Sequence, residues 1–142
     1  MGTPNDTLTA LASGLQAALP ARQVSRSFRP LAQRTVAELE QGVLALVGLG
    51  EGDYANYRGR EAQLGTVSAL LIGHLIVAEN AEPVAVEEAE LALAEEVKAF
   101  LRGTLPAGVT SCLATGFKQS GQLEFPRGWI VFQLEVQGVE EN

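Results

Sequence analysis

Residues 67–103 read VSALLIGHLIVAENAEPVAVEEAELALAEEVKAFLRG, and the change of period inside this stretch decides the fold class. Val67 to Ala78 is apolar apart from breaks at Ser68, Gly73 and His74, and Val67 to Glu79 predicts a long strand. Pro83 then stands where the first turn of a helix begins, because a proline there forfeits no helical hydrogen bond. Val86, Ala89, Leu93, Val97, Phe100 and Leu101 follow at the spacing of one helical face. Glutamates lead this helix and Lys98 and Arg102 close it, which suits the helix dipole, and Gly103 is placed to cap its end. A long buried strand passing directly into a long amphipathic helix is the backbone of the reading.

Toward the N-terminus, residues 48–66 carry Gly48, Gly50, Gly52, Gly59 and Gly65 among Tyr54, Tyr57, Arg58 and Arg60. This predicts a long loop, and loops of that length in a compact domain are usually functional or disordered. No Lys-Ser/Thr pair and no helix start follow the glycines, so a phosphate cradle is excluded. Gly42 to Val47 reads as a brief strand buried on both faces, and residues 31–41 fit either a short helix or an ordered loop. Arg22 to Arg29 suits a strand with one exposed face or an edge position, stopped by Pro30. Leu8, Leu11, Ala12, Leu15, Ala18 and Leu19 mark a first amphipathic helix, with Asn5 or Asp6 as N-cap and Pro20 at its end.

Toward the C-terminus, Val109 to Phe117 and Gly128 to Gln137 are two further strands joined by a hairpin connection over Lys118 to Arg127. In the second, Ile130, Phe132, Leu134 and Val136 alternate with wetter positions. The tail from Val139 to Asn142 is short and acidic. Helix, strands, helix, strands is the order of an α+β fold. The expectation is a mostly antiparallel or mixed β-sheet of four to five strands, with the N-terminal helix and the long central amphipathic helix packed on it, in one domain spanning 1–142.

The chain has 142 residues and a formal net charge of −7. Such a balance repels nucleic acid and anionic membranes unless the few cations are gathered. Arg22, Arg26, Arg29 and Arg34 are gathered, and Glu87, Glu88, Glu90, Glu95 and Glu96 dominate a later segment. These are either two solvated faces or complementary edges that fix the register between copies of the chain. Cys112 is the only cysteine, so neither an internal disulfide nor a cysteine-based zinc site can form within the chain. The first residues lack a signal-peptide pattern and no apolar run reaches the ~20 residues that span a bilayer. A soluble cytoplasmic protein without membrane contact is expected.

Residues that could carry catalytic chemistry are few. His74 is the only histidine and reads as a half-buried sheet residue with a satisfied ring. A Cys112–His74 pair requires neighbouring strands, and nothing around Cys112 activates a thiol. The glutamates lie around what reads as a solvent face, with no histidine at ligand spacing. No catalytic residue, cofactor or metal site is expected. Tyr54, Tyr57, Arg58 and Arg60 are the residue types that anchor protein interfaces, that stack on bases, or that simply face solvent, with protein contact the preferred reading.

The first helix ends in Ala17-Ala18-Leu19-Pro20, Leu75-Ile-Val-Ala-Glu79 passes into a long amphipathic helix, and the last strand is entered through Phe125-Pro-Arg-Gly-Trp-Ile-Val-Phe132. Together these three features resemble the tail terminator family of long-tailed bacteriophages, also called tail completion or tail-to-head joining proteins. The resemblance covers nearly the whole chain through diffuse features. It implies a non-enzymatic virion protein of the tail, assembled in the host cytoplasm. It implies a ring, usually of six copies, that caps the tail tube, ends tube polymerisation and offers the head-docking surface. Its implied partners are further copies of the chain, the tail tube protein and a head-completion or neck protein, with DNA passing through the lumen unbound. Interface residues are then expected among Arg22, Arg26, Arg29, Arg34, Tyr54, Tyr57, Arg58, Arg60, Glu87, Glu88 and Glu95. Another neck or head-completion protein is the first alternative, and a small bacterial α+β enzyme or ligand-binding domain the second.

Overall fold

A computed structural model of the chain describes residues 3–52 and 65–138. Tyr54, Tyr57, Arg58, Arg60 and the acidic tail lie outside the described residues. The fold is α+β, and the elements follow the order α1 (Pro4–Ala18), β1 (Gln23–Ser25), a 3-10 turn (Leu31–Gln33), α2 (Val36–Gln41), β2 (Val43–Gly52), β3 (Thr66–Ile76), α3 (Val84–Arg102), β4 (Val109–Gln119) and β5 (Arg127–Gly138). The strands form one mixed sheet in the order β1-β2-β3-β5-β4. Only β1 and β2 run parallel; the other pairs are antiparallel.

The N-cap of α1 is Thr3 and not Asn5 or Asp6: its hydroxyl accepts from the Asp6 amide at 3.1 Å, and Pro4 opens the helix. Any side-chain oxygen at the cap satisfies an orphan amide, and here the threonine preceding the proline reaches it first. The ambiguous segment 31–41 is helical, a 3-10 turn followed by α2 behind a capping box of Thr35 and Glu38.

Several boundaries differ from the sequence expectation, and β1 is confined to Gln23–Ser25 of the expected Arg22–Arg29. β2 continues through Gly48 to Gly52 because β3 offers it partners as far as Thr66↔Gly52, with a bulge between Gly48 and Gly50. Backbone pairing to an apolar neighbour overrides the poor strand preference of glycine. Residues 48–52 and 66 of the expected loop 48–66 therefore lie in strands, and residues 53–64 lie outside the described residues. β3 itself stops at Ile76 and not at Glu79, and the β4–β5 connection shortens to residues 120–126.

Alternation sorts the sheet into two faces. Leu44, Leu46, Val67, Ala69, Leu71, Leu75, Ile130, Phe132, Leu134 and Val136 face α1 and α3 and form the core with Leu8, Leu11, Leu15, Leu93 and Val97. Burying each such large side chain contributes about 1.5–3 kcal/mol. Gly73 explains how closely α3 crosses: a Cβ there would meet Ile130 Cγ1 at 2.8 Å and Leu93 Cδ2 at 3.0 Å. On the opposite face α2 lies against β3, where Leu39, Val43, Ala45 and His74 are buried.

Candidate functional site

Three of the four gathered arginines are engaged inside the chain, Arg34 through Glu38 Oε2 at 3.4 Å. Arg22 donates from Nε to Glu96 Oε1 at 3.1 Å and from Nη2 to Glu96 Oε2 at 2.6 Å, and its Nη1 reaches the Gln41 carbonyl at 3.1 Å. The hydrogen bonds to Glu96 raise its pKa above the ordinary arginine value, against the opposing effect of burial. Arg26 donates to Asn5 Oδ1 at 2.6 Å and Thr9 Oγ1 at 3.0 Å, tying the segment after β1 to α1. Arg34 is buried, and Arg29 is exposed. On α3, Glu88 is exposed, Glu95 pairs with Lys98, and Glu87 accepts from Gln122. Arginine segment and glutamate helix thus meet within one copy at Arg22–Glu96, leaving Arg29, Glu88 and Glu95 facing outward.

Glu90 corrects the reading of α3 as a helix whose glutamates all face solvent. It is 0% exposed and accepts from Gln119 Nε2 at 3.0 Å, the Gly121 amide at 3.0 Å, the Trp129 amide at 2.9 Å and the Ser120 hydroxyl. Four donors from one short stretch of hairpin converge on one carboxyl, so α3 is fastened to the β4–β5 connection by polar contacts in place of apolar ones. Gly128 leaves room for it, since a Cβ there would lie 2.7 Å from Glu90 Oε2 and from Val86 Cγ1.

His74 and Cys112 do not meet. His74 pairs with Trp129 in the sheet and Cys112 with Val136, positions of opposite parity on the uninterrupted β5, so the two side chains face opposite ways. Burial, helped by the charge of Arg34, lowers the His74 pKa to about 4, and its ring stands edge-on to Phe28 at 5.9 Å. Burial alone raises the Cys112 thiol to about 11, which keeps it protonated and unreactive. Among the described residues no cluster of His, Cys, Asp or Glu has the makings of a metal site, and no helix is long and apolar enough to cross a membrane.

The sheet face that α2 covers only in part is the remaining feature. Val47, Leu70, Ile72, Trp129 and Val131 on this face are half-buried, and Leu113 on β4 is 61% exposed. β4 is one of the two edge strands of the sheet, with register shifts at Val109/Ser111 and Ala114/Gly116. No protein-family model matches the sequence, and no curated protein matches it.

Proposed function

We propose that the protein is a structural subunit of a phage or prophage tail. In this reading it forms a ring that caps the tail tube, ends tube polymerisation and presents the surface to which the head docks. The observation that carries the proposal is the incompletely covered sheet face, bounded by Leu113 at the β4 edge and by α2 at the other side. A half-buried apolar surface on a sheet that already has a full helical layer opposite is suited to contact with a neighbour. In a ring that contact is heterologous: this face of one copy meets a different face of the next, and Arg29 and the outward Glu88 and Glu95 supply charge that selects the register. The same alternation that leaves the face apolar puts Cys112 and His74 on opposite sides, which favours assembly over a thiol–imidazole chemistry. The net charge of −7 supports a lumen wall along which DNA slides without binding.

Electron microscopy of tails assembled with and without the protein tests this. Tubes of uniform length with a ring at the head-proximal end only when the protein is present are the expected result. Tubes of unchanged length with no bound ring refute termination, and a ring on the head portal in place of the tube identifies a neck component.

A further inference from the structure

β5 sends side chains to both faces of the sheet, and those pointing away from α1 and α3 form an ordered row. Arg127, Trp129, Val131, Gln133 and Glu135 alternate with the core residues Ile130, Phe132 and Leu134. The ladder sets Ile72 of β3 and Lys118 of β4 beside Val131, and Leu113 beside Glu135. Along β5 the face thus runs from one cation, Arg127, through Trp129 to a second, Lys118, and ends on an acid, Glu135. Lys118 and Glu135 are exposed, and Arg127 Nε is buried without an acceptor. None of these three charged side chains has a hydrogen-bonding or ionic partner among the described residues.

The outer stripe of α3 carries the same row with its signs reversed. Val84, Glu88, Leu91, Glu95 and Arg102 recur at intervals of four, three, four and seven, which places them on one side of the helix, opposite Val86, Leu93 and Val97. All five are exposed, Val84 and Leu91 to 45% and 46%. Glu88 and Arg102 have no side-chain partner among the described residues, and Glu95 has only Lys98, in an exposed pair that gives way easily. The spacings agree as well. Seven helical residues separate successive charges by ~10 Å, and four strand residues by ~14 Å, a mismatch that long side chains span.

We infer that copies of the chain associate head-to-tail, with the outer α3 stripe of one copy laid along β5 on the open sheet face of the next. Glu88 then meets Arg127, Glu95 meets Lys118 and Arg102 meets Glu135, while Leu91 packs on Trp129 and Val131. The stripe and the open face lie on opposite sides of one copy, so neither satisfies the other internally and the contact repeats from copy to copy as a heterologous interface. Laid the other way round, the helix would set Arg102 against Arg127 and Glu88 against Glu135, so charge fixes its polarity. Nucleic acid is the rival occupant of a face with Trp129 between two cations, and the net charge of −7 disfavours it. This contact rests on the tail reading only in requiring that copies associate, and it supplies the second face of that association.

The test combines sedimentation of the full chain, alone and with tail tubes, with carboxyl-to-amine cross-linking in an equal mixture of isotope-labelled and unlabelled copies. A cross-link from Lys118 of one copy to Glu88 or Glu95 of another is expected. Glu88→Lys with Glu95→Lys, and separately Lys118→Glu with Arg127→Glu, should each weaken self-association about tenfold or more. Lys118→Glu alone, at an exposed position, should weaken it in the same direction. An equal mixture of the two double variants should regain association, because the α3 of each finds a sheet of opposite sign on the other; this recovery separates a lost contact from a lost fold. Copies that assemble undiminished in both double variants, or that cross-link only elsewhere, overturn the contact and leave the tail reading untouched. Copies that never associate overturn both, and binding of single-stranded DNA that Lys118→Glu abolishes overturns the contact by assigning the face to nucleic acid. Association through this contact by copies that do not cap tubes leaves it standing and refutes the tail reading instead.

Discussion

Replacing Glu90 by alanine removes the acceptor for four donors at once, and the structure sets the size of the effect. Gln119 is part-buried and its amide can turn toward water, so its loss is small. The Trp129 amide retains only a long contact to the Ser120 hydroxyl at 3.4 Å, and the Gly121 amide and the Ser120 hydroxyl lose the carboxyl altogether. Two to three buried donors left unsatisfied at ~1–3 kcal/mol each, together with the space the side chain filled, give a destabilisation of about 3–5 kcal/mol. That is a large share of the ~5–15 kcal/mol that holds a domain together. Glu90→Gln keeps the shape but points an NH₂ at backbone amides that cannot reverse their polarity. Gln119 and Ser120 can adapt to it, so a cost of about 1–2 kcal/mol is expected. Denaturant midpoints at unchanged m-value measure both. Native-state hydrogen exchange adds the location: protection of the Gly121 and Trp129 amides should fall first, while the β2 amides around Leu46 stay protected. An alanine variant within about 1 kcal/mol of the parent, or with the Trp129 amide still protected, would refute the claim that Glu90 fastens α3 to the hairpin.

Four further outcomes follow from the same geometry. Because His74 titrates near 4 in the fold and near 6.5 when unfolded, the unfolded chain binds the extra proton between these values; its contribution to stability is complete above 6.5 and falls as pH drops toward 4, and His74→Phe should flatten that part of the stability profile. Cys112 should be silent to a thiol reagent at pH 8 in the folded protein and titrate as one thiol after unfolding in denaturant. A double-mutant cycle on Arg22 and Glu96 should give a coupling of about 1 kcal/mol that shrinks with salt, since the two side chains keep 25% and 36% of their exposure and solvent screens the pair. Leu113→Glu should leave the stability of the isolated chain within about 0.5 kcal/mol and abolish ring formation on the tail tube, read by denaturation and by electron microscopy respectively.

The long elements were legible because their hydrophobic periods persist over enough residues to dominate local ambiguity. α3 spans Val84–Arg102 with Val86, Leu93 and Val97 buried, and the alternation of β5 puts Ile130, Phe132, Leu134 and Val136 in the core. What was not legible depended on partners distant in sequence. Glycines 48, 50 and 52 lie in a strand only because β3 pairs with them, and residues 36–41 are helical with the help of a cap at Thr35 and burial of Leu39 against the sheet. Neither fact is a property of the local window.

Glu90 is the instructive case, because its position was readable while its chemistry was not. Val86, Glu90, Leu93 and Val97 recur at intervals of four, three and four, so residue 90 falls on the buried stripe of α3 and not beside it. An acidic side chain on an apolar stripe signals that donors wait on the facing element, yet the donors here come from residues 119–129, about thirty or more positions away. Arg34 likewise sits between the 3-10 turn and the helix cap, in a basic run that reads from sequence as a solvated face or an edge between copies. In each case a charged residue is held in the interior by the fold, but the outcomes differ. Glu90 is fully matched by protein donors, which makes it a fastening. Arg34 meets only Glu38, at 3.4 Å, and its Nε and Nη2 find no acceptor among the described residues, so its burial is a cost the fold carries and not a fastening.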